Sequence, residues 1–74
     1  MASSTLTRRS LRDAGEEIRE MRLNEGHTPE TLGYEIGVSG RTIRRIEDGH
    51  RPTVRTMFAL ANHFNAQVTD LWAI

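Results

Sequence analysis

The chain has 74 residues, no cysteine, and ten arginines against ten acidic side chains, so its formal net charge is zero with histidine neutral. That length fits one small domain, which buries only about 60% of its unfolded surface and relies on well-packed elements for stability. The composition excludes disulfides and cysteine-ligated zinc, no apolar run approaches the ~18 residues of a membrane span, and no apolar signal core opens the chain, so the expected location is the cytoplasm.

In chain order, Met1 to Ser10 is small, polar and basic, without apolar periodicity, and reads as a frayed arm. We place the basic arm at 1–12 and the folded domain at 13–74. Ser10 and Asp13 form an S-x-x-D cap, so a first helix starts between 10 and 14 and runs to about Glu25, with Ala14, Ile18, Met21 and Arg22 on its inner face and Gly26 at its end. Thr28 caps a second helix that has Pro29 at its first position and reaches Ile36. Its Leu32 and Ile36 share a face. Gly33 offers a site of close backbone approach, and Gly37 supplies the positive φ that stops the helix. Ser39 caps a third helix from Gly40 to about Asp48, with Ile43 and Ile46 inward and Gly49 closing it. Thr53 caps a fourth helix, Val54 to Phe64, whose apolar face is Val54, Met57, Phe58, Leu60, Ala61 and Phe64; Asn65 fits a left-handed position after it. A short fifth helix covers about Val68 to Trp72. No strand pattern occurs, so the fold class is all-α.

Charge is unevenly distributed along these elements. Residues 1–12 carry three arginines and no acid. Residues 13–35 carry seven acids against two arginines, a balance of −5, and residues 36–56 carry five arginines against two acids, a balance of +3. A polyanion would meet the basic region rather than the total. Within it, Arg41 sits at the second position of the third helix, against the positive end of the helix dipole, at a cost of about 0.3–1 kcal/mol. Arg41 and Arg45 lie four apart and repel each other. An anionic partner would offset both costs. The plainer reading is a solvated face on which Arg44 pairs with Asp48, four positions on.

Two short helices around a glycine turn, the second opening on arginines, have the layout of a helix-turn-helix whose second helix enters the DNA major groove. The stretch GVSGRTIRRIEDG resembles the Gly-Val-Ser-x-x-Thr-Ile-x-x-Ile-Glu-x-Gly signature of the Cro and lambda-repressor superfamily, the XRE-type regulators. The resemblance runs from about Ala14 to Leu71 through AGEEIREMRLNEG, TVRTMFALANHFN and QVTDLW. It implies a five-helix lambda-repressor-like DNA-binding domain with the helix-turn-helix formed by helices 2 and 3. It also implies base reading from Gly40, Arg41, Arg44 and Arg45. Arginine most often reads guanine, through O6 and N7. Arg22 and Glu47 match a family ion pair that orients the recognition helix. Pro29 stands where the family usually carries a glutamine that helps clamp the DNA backbone, and Asp48 where it usually carries asparagine.

Phosphate contacts are expected from helix N-termini and flanking basic or hydroxyl groups: Thr28, Ser39, Thr42, Arg51, Thr53 and Arg55, with His50 nearby. Arg8, Arg9 and Arg12 would add nonspecific contacts. At the C-terminus, one turn of helix cannot bury all of Val68, Leu71, Trp72 and Ile74, so Trp72 and Ile74 are expected to stay partly exposed and to anchor a homodimer. The resemblance also implies pairing near the last helices. The expected function is that of a Cro-like, phage-type repressor binding a pseudo-palindromic operator in double-stranded DNA. The alternative is an antitoxin of the same fold that binds a toxin and represses its own promoter. His27, His50 and His63 are scattered without metal-ligand spacing, and no nucleophile–base motif or phosphate-cradling glycine loop occurs, so neither a metal, a cofactor nor an enzymatic activity is expected.

Overall fold

A computed structural model describes residues 10–73 of the chain. It contains α1 (Leu11–Asn24), α2 (Pro29–Ile36), α3 (Gly40–Glu47), α4 (Val54–His63) and α5 (Val68–Leu71), and no strand among the described residues. Arg8, Arg9 and Ile74 lie outside those residues. The helix ends agree with the expected ones to within a residue or so, the usual margin at frayed termini.

Side-chain caps fix where four helices begin. Ser10 Oγ accepts the Asp13 N–H at 3.0 Å, Ser39 Oγ that of Thr42 at 3.1 Å, and Thr53 Oγ1 that of Thr56 at 3.2 Å. At α2 the cap is reciprocal: Thr28 Oγ1 accepts the Thr31 N–H at 3.1 Å, and Thr31 Oγ1 accepts the Thr28 N–H at 2.9 Å. Each such cap satisfies an otherwise orphaned donor and contributes about 1 kcal/mol. The turn between α2 and α3 rests on Gly37, at φ 88°, which lets the Gly37 and Val38 N–H groups both reach Gly33 O at 2.8 Å. Asn65 takes the expected left-handed conformation after α4, at φ 58°.

Ala14 and Ile18 from α1, Leu32 from α2, Ile43 and Ile46 from α3, Met57, Leu60 and Ala61 from α4, Val68 and Leu71 from α5, and Trp72 form one buried cluster. Two glycines bring backbones together around it. A Cβ on Gly33 would stand 3.0 Å from Ser39 C and overlap Val38 O, so α2 presses directly on the turn that launches α3. A Cβ on Gly15 would lie 2.8 Å from Glu47 O and overlap Ile46 O, so α1 crosses the end of α3 at van der Waals limit.

Two expectations need correction. Val54 and Phe58 are 57% and 56% exposed. At 100° per residue Met57, Leu60, Ala61 and Phe64 centre the inward stripe of α4, and Val54 and Phe58 fall on its flank. Trp72 is not left partly exposed: it is 2% exposed and belongs to the core. The helix stops at Leu71 and Trp72 is extended, at φ −127° and ψ 147°, so its side chain leaves the helical track and turns inward.

Candidate nucleic-acid interface

Helix α3 is amphipathic across its narrow width. Ile43 and Ile46 are buried, while Arg41, Arg44 and Arg45 are exposed and Gly40 and Thr42 are half-buried. Helical geometry places Arg41 at the centre of the outward face, opposite the isoleucines, with Arg44 on the flank toward α2 and Arg45 on the other flank. Among the described residues, Arg41, Arg45, Arg51 and Arg55 hold no ion pair.

The orientation of α3 is set from α1. Arg22 donates from Nε to Glu47 Oε2 at 2.6 Å, from Nη2 to Glu47 Oε1 at 3.1 Å, and from Nη1 to His27 O at 2.8 Å. Both side chains of the pair are less than a tenth exposed. The hydrogen bond to Glu47 raises the Arg22 guanidinium above its ordinary pKa against the opposing effect of burial. One fork thus ties the last residue of α3 to α1 and to the loop before α2.

Arg44 does not pair with Asp48. Its guanidinium donates from Nη2 to Glu30 Oε2, in the first turn of α2, and the Glu30 side chain lies over Gly40, where a Cβ would come within 2.8 Å of Oε2. A salt bridge between residues fourteen positions apart across a turn leaves no periodic trace in the sequence, which is why Glu30 escaped the sequence reading. The Glu30 carboxyl is held below its ordinary pKa, first by its own backbone N–H and then by Arg44. The pair is therefore intact above the ordinary carboxylate range and is lost as pH falls through the folded value. A carboxylate at the mouth of a basic face opposes any polyanion. Glu30→Gln should raise affinity for duplex DNA several-fold at low salt, with the gain fading as salt rises, in fluorescence-anisotropy titrations. An unchanged isotherm would put Glu30 and Arg44 away from the DNA.

The remaining expected contacts gather beside α3. Thr42, Arg45, His50, Arg51 and Thr53 line one recess between α3, the following loop and the start of α4. Arg55 is exposed in the first turn of α4. Residues read separately from the sequence thus converge on a basic cleft at a helix N-terminus, a natural seat for phosphate. Thr28 and Ser39 cap neighbouring helices and are also exposed. No helix of the described residues is long and apolar enough to cross a membrane.

A helix-turn-helix family model matches residues 18–71, from the buried isoleucine of α1 to the core leucine of α5. An uncharacterised HTH-type transcriptional regulator of Archaeoglobus fulgidus is 39% identical over 56 residues, covering 74% of this chain and 80% of the relative. No solved structure matches the chain significantly.

Proposed function

The chain belongs to the helix-turn-helix family, and we propose that it is a sequence-specific DNA-binding transcriptional regulator, a repressor that sets α3 in the major groove of its operator. The observation that carries this reading is the pair Arg41 and Arg45, exposed and without an acidic partner on the α3 face opposite Ile43 and Ile46. Arg41 stands against the positive dipole end and four positions from the like charge of Arg45, an arrangement unfavourable alone and complementary to DNA. In this reading Arg41 and Arg45 read guanine edges, Gly40 allows close approach, and Arg44 joins them on leaving Glu30. Arg51, Arg55, Thr53, Thr42, Ser39 and Thr28 hold the backbone. The cytoplasm is where such a protein meets its DNA.

A homodimer is part of the proposal, with its anchor moved. Trp72 is committed to the core; of the exposed large apolar side chains among the described residues, Leu23, Tyr34, Val54 and Phe58, the last two lie four apart on the outer flank of α4 and form the patch for a second copy. A two-fold pair sets its recognition helices about 34 Å apart and reads a near-palindrome. Phe58→Asp should leave the fold intact, halve the sedimenting mass at micromolar concentration, and make operator binding weaker and steeper in protein concentration. An unchanged mass would move the interface off α4.

Selection of bound duplexes from a random-sequence pool tests the function itself. Enrichment of guanine-bearing half-sites about 10 base pairs apart is expected. A pool that binds without enrichment of any sequence would overturn the reading.

A further inference from the structure

The fold brings together three side chains that the DNA-binding face does not use. Glu25 ends α1, His27 lies in the loop before α2, and His63 ends α4. One ligand atom from each lies within 4.8 Å of the other two. Glu25 Oε1 accepts from His63 Nε2 at 2.8 Å and stands 3.6 Å from His27 Nε2. Ligands at 2.0–2.1 Å around a tetrahedral ion are separated by about 3.4 Å, so these spacings bracket the required edge. The two imidazoles are mostly covered, at 26% and 19% exposure, while the carboxylate is more open at 39%.

A second observation concerns how His27 is held. Thr31 Oγ1 lies 3.1 Å from Thr28 O and 2.8 Å from His27 Nδ1. With the hydroxyl donating to Thr28 O, Thr31 Oγ1 accepts from His27 Nδ1. In that arrangement Nδ1 carries the proton and the neutral ring's lone pair resides on Nε2, the nitrogen that faces Glu25. An imidazole whose far N–H is anchored to an oxygen is the usual arrangement behind a metal-ligating histidine. The His27 backbone is pinned as well: its N–H reaches Arg22 O at 3.1 Å and its carbonyl accepts from Arg22 Nη1 at 2.8 Å.

We propose that Glu25, His27 and His63 form a binding site for a divalent transition-metal ion of the zinc class, with water at the fourth position. Two imidazoles and one carboxylate are a zinc donor set, whereas magnesium and calcium take oxygen ligands. The ion replaces the proton that His63 Nε2 directs at Glu25, and in the neutral ring that proton sits on Nδ1 instead. Glu25 and His63 are 38 positions apart, so the ion clips the end of α4 to the α1–α2 corner and favours the folded chain by mass action.

The test uses the full chain, stripped with a chelator and titrated with zinc chloride without DNA, so its outcome is separate from that of the DNA-binding reading. Calorimetry should give one zinc ion per chain. Free zinc at ten times its dissociation constant should shift the folding equilibrium about tenfold and raise the thermal midpoint by about 5–10 °C. His63→Gln and His27→Gln should each abolish both effects, and His50→Gln, which removes the exposed histidine of the other loop, should change neither. Absence of one-to-one binding would overturn the site. So would binding that survives His63→Gln and His27→Gln with the fold intact by circular dichroism.

Discussion

Glu47→Ala should lower the unfolding free energy by about 3–5 kcal/mol, because it leaves the Arg22 guanidinium buried without its counter-charge. The whole stability of a domain this size is on the order of 4–11 kcal/mol, so the variant should sit near its unfolding midpoint at physiological temperature. Both side chains of the pair are less than a tenth exposed and the fork is bidentate, which separates it from surface pairs worth at most about 1 kcal/mol. Urea denaturation followed by tryptophan emission measures the loss. Arg22→Met combined with Glu47→Leu should recover most of it, since no unpaired charge then remains in the interior. A loss below about 1 kcal/mol for Glu47→Ala would mean that water reaches the pair and screens it.

Trp72→Ala should cost about 3–5 kcal/mol of stability, as truncation of a fully buried aromatic does. Its effect on DNA binding should follow the folded fraction and nothing more. Trp72 closes the core beside Val68 and Leu71, and at 2% exposure it offers no surface to a second copy. Thermal unfolding by circular dichroism gives the stability, and sedimentation of the folded fraction gives the mass. A Trp72→Ala chain that kept its thermal midpoint but lost its dimer would return the residue to the interface.

The legible parts of this chain were those written in local chemistry. Caps at Thr28, Ser39 and Thr53, the proline at 29 and the turn glycine at 37 fix three helix starts and one helix end to within a residue, and Ser10 with Asp13 brackets the start of α1 between 10 and 14. Spacing placed Leu32, Ile43, Ile46, Met57 and Leu60 inside. What escaped depended on tertiary geometry. Gly15 sits in a helix with no feature to mark it, yet α1 can meet α3 only because it has no Cβ. Phe58 and Val54 are as apolar as Met57 and stay exposed, because α4 presents a single stripe to a small core. The sequence reads Trp72 as a continuation of the last helix, and one extended residue reverses its direction. Glu30 with Arg44, and Glu25 with His27 and His63, meet across turns and between helices where periodicity carries no information.

In the proposed complex α3 reads bases while the start of α4 holds the backbone. Equilibrium binding to the selected duplex and to a scrambled duplex, across a salt series, separates the two roles for Arg41→Ala, Arg45→Ala and Arg55→Ala. The helix-3 variants should lose about 1–3 kcal/mol on the selected duplex and little on the scrambled one, relaxing preference at a guanine. Arg55→Ala should weaken both duplexes alike and reduce the salt slope by about one. Full sequence preference in Arg41→Ala and Arg45→Ala, with both folded, would remove α3 from the groove.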